Sequence, residues 1–460
     1  MEGLKSERFL SLLRTISLLR TVGGRLICVT GVTIATSVIG FFLQVALAAR
    51  FGAGIEVDGY LFAMSIPTAL AGLLVAAMSF ALIPPLARAD DARGLAGLLE
   101  IVSLGVLVLM VLCGGAAMIL QPLLLPQGSA MTKLPDLGRL IFLGWCVGGA
   151  QVVLGLKVIQ LNAIRRPLTA ALTNLPPNVF ALLALTLVGA AGILAVPAGL
   201  AIGTGVMATL AAFFFGGPSR AWPRRSDLDQ LISFVPALIS AAFAVSAFTA
   251  FVVVDAFWAP RAGTGVLTTL GLAQRLLIAL GSLIVAGPSA VLTPYFAALV
   301  GRGDGQSFRR TTVGVAAVAG VSATVGALLL WLMAPLLVEV AFGRGAFDTE
   351  DVARLTMTFV AMLPGFSAMV VAVILTRALY CLPGSTWPAA VLGVSWLGVY
   401  FVTSGLLHRY GAPGLGFAFS LSWLWLAAAN LVALIWLSRG LGKESCADLP
   451  QGDKPDIGRL

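Results

Sequence analysis

Ala69–Ala87 reads ALAGLLVAAMSFALIPPLA, and 210 positions later Ala279–Ala297 reads ALGSLIVAGPSAVLTPYFA. Aligned without gaps, nine of the nineteen positions are identical, among them Ser79 with Ser289 and Pro84 with Pro294. Ala and Leu coincide easily in an apolar chain, whereas a Ser and a Pro repeated at one spacing do not. The chain therefore reads as two related halves. Each copy is apolar throughout, and duplicated bundles of membrane spans are a common way to build a transport path.

Composition supports the membrane reading. The 460 residues are 59% hydrophobic and 11% charged, with a mean hydropathy of +1.00. Runs of about 20 apolar residues, each long enough for about 30 Å of hydrocarbon, recur along the chain. The expected fold class is an all-α polytopic membrane protein with about 12 transmembrane helices in two parallel six-helix lobes around a central cleft. The spans centre near Ile39, Leu73, Leu107, Val147, Phe180, Val206, Phe243, Ile284, Thr324, Met369, Leu397 and Ala428.

Basic residues divide unevenly between the loops. One side collects Arg88, Arg93, Lys157, Arg165, Arg166, Arg220, Arg224, Arg225, Arg302, Arg309, Arg310 and both terminal segments; the other has Arg50, Lys133, Arg139, Arg261, Arg344, Arg354 and Arg409. The positive-inside rule then puts both termini in the cytoplasm. On this reading the net charge of +9 reflects topology, and nucleic acid is not an expected partner. The expected organisation is a cytoplasmic amphipathic segment (1–25), an N-lobe (26–218), a cytoplasmic linker (219–229), a C-lobe (230–438) and a cytoplasmic tail (439–460). Phe9, Leu12, Leu13, Ile16 and Leu19 give the first segment its helical apolar spacing.

Enzyme chemistry finds little support. The five cysteines show no paired spacing for a disulfide or metal site. The single histidine, His408, reads as a solvated loop residue. Asp348, Glu350 and Asp351 precede an apolar run, as an N-cap and acidic first turn would. No catalytic residue, metal site or cofactor is expected. What remains is a set of polar groups inside spans, which are costly in lipid and usually face a cavity or a partner. Arg275, near the start of the eighth span, could grip a phosphate with its bidentate fork, snorkel to the interface or pair with Asp255, which ends the seventh span.

The run Ala49–Ala63 (ARFGAGIEVDGYLFA) is similar to the first-loop signature of the MviN/MurJ family of lipid II flippases: an Arg, then FGAG, then an Asp before an aromatic-rich helix. Further resemblances follow in order: Leu161–Ala163 (LNA) with Pro167, Ala273–Leu276 (AQRL), Phe342–Asp351 (FGRGAFDTED), and Arg377–Tyr380 (RALY) with Pro388. The FGRGAFDTED block is the most specific. The wider resemblance is to the multidrug/oligosaccharidyl-lipid/polysaccharide exporter superfamily.

That resemblance implies a two-lobed bundle that alternates between inward-open and outward-open states in the bacterial cytoplasmic membrane. It implies as substrate an undecaprenyl-pyrophosphate-linked saccharide, either a peptidoglycan precursor or an exopolysaccharide repeat unit, held by cationic side chains. Carried onto this sequence, the substrate-binding candidates are Arg275, Asp58, Arg50, Gln44 and Asn162, and the gate or ion-coupling candidates are Asp255 and Arg377. Coupling to a cation or to the membrane potential stays open. The implied partners are the lipid-linked saccharide, membrane lipid and polysaccharide or cell-wall synthesis enzymes. Where relatives tend to carry arginines in the first two helices, this chain has Ser37, Leu43 and Ala71, and their Asn-x-x-x-Asp pair reads Val399 and Thr403. Two other readings remain: an ion-coupled exporter of small amphiphiles and a non-transporting scaffold for polysaccharide synthesis.

Overall fold

The computed structural model describes residues 28–88, 93–121, 130–164, 166–214 and 225–439, and its regular elements are all helices. The amphipathic segment expected around Phe9–Leu19, the first six linker residues and the tail beyond Arg439 lie outside the described residues. In the first half the long helices are α1 (Cys28–Phe51), α2 (Ile55–Arg88), α3 (Arg93–Ile119) and α4 (Leu137–Ala163). They are followed by the short α5 (Pro167–Leu172), α6 (Leu175–Leu187) and α7 (Ala195–Phe214). The second half runs α8 (Arg225–Thr249), α9 (Phe251–Ala262), α10 (Val266–Gly301), α11 (Gly305–Phe342), α12 (Thr349–Tyr380), α13 (Thr386–Leu407) and α14 (Gly411–Ser438). All twelve expected span centres fall inside these helices.

Among the described residues nine stretches are long and apolar enough to cross a membrane, one of them holding both α13 and α14, and two shorter apolar helices lie in α8 and α10. The exterior is correspondingly apolar: Leu112, Ile119, Val318, Leu332 and Trp436 are all more than 60% exposed. A water-soluble protein does not carry an apolar surface of that extent. At about 1.5 Å per residue, the 34-residue α2 and 36-residue α10 are about 51 and 54 Å long, well beyond a hydrocarbon core of about 30 Å.

The two copies of the repeated stretch occupy the same part of equivalent helices, α2 and α10. The packing scheme repeats with them. In the first half α4 is the hub, against α2, α3 and α7, and α6 packs on α7; in the second half α12 is the hub, against α10, α11 and α14, and α13 packs on α14. The described residues cluster into two units: one runs to Leu238 and includes Gly345–Phe347, and the other takes Ile239–Arg344 and the chain from Asp348. Arg225–Asp229, expected in the linker, already form the first turn of α8.

Close helix approach in the first unit depends on small residues. A Cβ on Gly144 would stand 2.4 Å from the Ala63 carbonyl oxygen, and one on Gly148 2.7 Å from that of Pro67. The pair forms a G-x-x-x-G face that lets the α4 and α2 backbones touch. In the second unit the contact of α12 with α14 uses a hydroxyl. The Gly365 N–H donates to Ser420 Oγ at 3.0 Å, and Ser420 Oγ donates to the Ala361 carbonyl at 2.7 Å. The side chain from α14 thus bridges the two backbone groups that make one helical rung of α12, next to Pro364, which has no N–H of its own.

Two expectations about charged and polar residues change. Lys157, counted among loop residues, lies inside α4 at 7% exposure and forms an ion pair with Glu100 of α3. It is buried because an oppositely charged partner on the neighbouring helix compensates it. His408 is half-buried: its Nδ1 is 2.7 Å from the Gly405 carbonyl and its ring lies 5.0 Å from that of Trp258. It closes the C-terminal turn of α13, where carbonyls lack helical partners.

Candidate functional site

The best-defined polar centre lies in the second unit. Asp255 is not at the end of its helix: α8 stops at Thr249, and α9 carries Asp255 in its interior at 3% exposure. Gln274 Nε2 donates to Asp255 Oδ2 at 2.7 Å, and the Tyr400 hydroxyl donates to Oδ1. Gln274 is 4% exposed and Tyr400 fully buried. The carboxyl group therefore ties α9 to α10 and α13 with one neutral donor on each oxygen. Trp396 lies 5.4 Å from the Tyr400 ring and 5.1 Å from that of Trp423, so an aromatic wall stands behind the cluster.

Tyr400→Phe keeps the ring and removes the donor. The expected cost is about 1–3 kcal/mol of stability, the penalty for leaving a buried acceptor without its donor. A thermal shift of the purified protein in detergent checks this, and an unchanged melting temperature contradicts it.

Arg275 follows Gln274 on α10, half-buried, and projects about 100° around the helix from it. Arg377 is half-buried in the last turn of α12, where a cation complements the helix dipole. Asn430 of α14 donates to Thr376 Oγ1 at 2.8 Å and so joins α14 to α12.

In the first unit Arg50 and Asp58 flank the turn between α1 and α2. Arg50 donates from Nη1 to the Leu185 carbonyl at 2.5 Å, satisfying an acceptor in the last turn of α6 that has no helical partner. Asp58 is 1% exposed in the first turn of α2, and Gln44 lies six residues before Arg50 at 8% exposure. Asn162 is elsewhere. It sits half-buried in the last turn of α4, which runs parallel to α2 with Gly144 beside Ala63 and Gly155 beside Val75. That register puts Asn162 level with Leu82, about 36 Å along the helix from Asp58. The structure brings Arg50 and Asp58 to one end of the unit and places Asn162 at the other.

The signature blocks acquire a local explanation. Gly52 takes φ +65° where α1 turns into α2. The peptide Gly345–Phe347, which belongs to the same unit, docks there, with the Ala346 N–H donating to the Ala49 carbonyl at 2.7 Å. Gly345 has φ +70°, and a Cβ on it would lie 2.0 Å from that carbonyl oxygen, so only glycine fits. Asp348 then caps α12 through the Asp351 N–H at 2.8 Å, and Glu350 pairs with Arg354 at 2.7 Å. The capping role read from the sequence is what these residues do.

The Lys157–Glu100 pair and the Asp255 partners Gln274 and Tyr400 were not singled out from the sequence as sites. The signal for the first was present in LAGLLEIVSLG and VVLGLKVIQL, two apolar runs each interrupted by one charge of opposite sign.

The model of the lipid II flippase MurJ family matches residues 47–441. The chain belongs to the MurJ family of lipid II flippases. No curated protein matches it in sequence. Among solved structures, it is similar to the lipid II flippase MurJ in an inward closed conformation, at 17% identity and TM-score 0.74 over 91% of each chain. It is also similar to an inward-facing multidrug-resistance MATE transporter of the MOP superfamily, at 15% identity and TM-score 0.68 over 91% of this chain and 99% of that one. A eukaryotic MATE transporter aligns at 16% identity and TM-score 0.60 over 94% and 99%. At these identities the likenesses speak for the fold. With the MurJ-family match, the protein is a multi-pass membrane protein of a transporter family.

Proposed function

We propose that this MurJ-family protein moves an undecaprenyl-pyrophosphate-linked saccharide from the inner to the outer leaflet of the cytoplasmic membrane by alternating access, with both termini in the cytoplasm. The family match across residues 47–441, spanning both halves of the duplication, is the observation that carries this reading. Physical chemistry supplies the need: a sugar-pyrophosphate headgroup cannot cross hydrocarbon unaided, because its charge and hydroxyls would lose their hydration. A polar path replaces water for the headgroup while the prenyl tail stays in lipid.

In this reading Arg275 contacts the pyrophosphate. Asp58, Arg50 and Gln44 contribute at the α1–α2 end of the first unit, and Asn162 acts at the opposite end. Asp255 couples transport to an ion or a conformational change through Gln274 and Tyr400, and Arg377 serves as a gate. The N-lobe and C-lobe correspond to the two halves of the duplication.

The test is to deplete the protein in cells and measure undecaprenyl-linked intermediates by mass spectrometry, sorted by leaflet accessibility. Accumulation of lipid II on the cytoplasmic face is the expected outcome. Accumulation of a different lipid-linked oligosaccharide replaces the substrate while keeping the activity, and no change in any such intermediate overturns the proposal.

A further inference from the structure

The first unit holds a cavity of about 330 Å³ that takes no part in the transport reading. Its walls are three helical stripes at matching intervals. From α3 come Glu100, Ser103, Leu104 and Leu107; from α4 Ala150, Val153 and Lys157; from α7 Gly205, Ala208, Thr209 and Ala212. Both α3 and α7 pack on α4, so α4 forms the floor and the small residues of α7 leave the groove open. The size is at the lower end of the about 300–1,000 Å³ typical of ligand pockets.

The groove is chemically graded. Glu100 pairs with Lys157, and Leu107 lies against Gly149, beside Ala150. The charged end therefore holds Glu100, Lys157 and Ser103, and the opposite end Leu107, Ala150 and Val153. Glu100 is seven residues into α3 and Lys157 six residues from the end of α4, about 10 Å in from the helix ends. For helices of 27 residues centred on a hydrocarbon core of about 30 Å, that puts the pair about 5 Å inside the hydrocarbon edge, nearer the headgroups than the bilayer centre. The groove also opens sideways onto apolar exterior: Leu104 is 54% exposed, Val108 58% and Phe213 75%.

A site with one buried ammonium, one partly exposed carboxylate and an apolar trough selects an amphiphile carrying both charges. The Glu100 side chain is 35% exposed and that of Lys157 9%. An ammonium has three donors and a carboxylate about four acceptor positions, so one ion pair leaves capacity on both. We propose that this groove binds a phospholipid whose headgroup carries a phosphate and a primary ammonium. The phosphate meets Lys157, the ammonium meets Glu100, and an acyl chain lies along Leu104, Leu107 and Val153. An anionic headgroup without an amine leaves Glu100 facing like charge, and a quaternary ammonium cannot donate the hydrogen bond that Glu100 accepts.

The test uses the full-length protein in vesicles doped with photoactivatable phosphatidylethanolamine, phosphatidylglycerol or phosphatidylcholine, each bearing the probe on its acyl chain. Cross-linked peptides are mapped by mass spectrometry. The ethanolamine lipid is expected to label the peptides containing Leu104–Leu107 and Gly205–Ala212 about threefold more than the other two. The preference is expected to vanish in Lys157→Met/Glu100→Gln and to return in the swapped pair Lys157→Glu/Glu100→Lys, which keeps both charges and guards against simple misfolding. Equal labelling by all three headgroups, or a preference that survives the neutral pair, overturns the proposal and leaves ordinary annular lipid. Displacement of the label by added undecaprenyl pyrophosphate also overturns it, because the groove then takes the transported lipid.

Discussion

Arg275→Ala is expected to abolish substrate transfer between leaflets while the protein still inserts and folds. Removing one partner of a desolvated, hydrogen-bonded charge pair costs about 2–5 kcal/mol, which at about 1.4 kcal/mol per factor of ten is a loss of at least about thirtyfold. Arg275→Lys keeps the charge but not the planar two-pronged donor that matches a phosphate, so its activity should fall between the wild type and the alanine variant. The measurement is flipping of a fluorescent lipid-linked pyrophosphate in reconstituted vesicles, with the melting temperature followed in parallel. Full activity in Arg275→Ala removes this residue from the substrate path. A parallel collapse of stability in both variants assigns it to packing.

The second large effect concerns backbone contact. Gly144→Val should destabilise the first unit by more than the about 1–3 kcal/mol typical of overpacking, because the clashing atom is the Ala63 carbonyl oxygen at 2.4 Å, which has no rotamer to escape into. Even Gly144→Ala is expected to destabilise, although alanine is the better helix former by about 1 kcal/mol. Gly105 and Gly115 of α3 are the controls, since a Cβ at either meets nothing within 4 Å. Alanine there should be neutral or slightly stabilising. Melting temperatures of the four variants check this, and equal shifts at Gly144 and Gly105 contradict the close-contact explanation.

These effects also show what the sequence could disclose. The twelve spans, the duplication and the Asp348 cap were legible because each depends on a continuous run or on residues three or four positions apart. The Asp255 cluster was not, because its donors lie 19 and 145 residues away and a carboxylate at the edge of an apolar run looks the same whether it meets a tyrosine or a headgroup. Lys157 was misplaced for a related reason: a basic residue near a span end looks like a loop residue until Glu100 is seen opposite it. The Gly144–Gly148 face was hidden by abundance, since 52 glycines produce many small-residue spacings and only the partner helix decides which one is used. Asn162 was legible in one respect, since it lies between Lys157 and Arg165 on the side of the expected topology opposite Arg50; grouping it with Arg50 and Asp58 followed the resemblance, not the loop charges.

The hydroxyl of Ser420, set between the Gly365 N–H and the Ala361 carbonyl, gives α12 two ways to complete the same rung. With α14 in place, the rung closes through two bonds by way of the serine; with α14 withdrawn by the width of one oxygen, the two backbone groups can close it directly. The exchange strands neither backbone group of α12, and the freed Ser420 hydroxyl can turn to a carbonyl of its own helix, so the polar terms of the two arrangements differ by about one hydrogen bond, on the order of 1 kcal/mol. At this rung the helix can therefore shift against its neighbour without breaking its own backbone ladder, as a zipper with a spare tooth can, while the packing along the rest of the contact holds the two together.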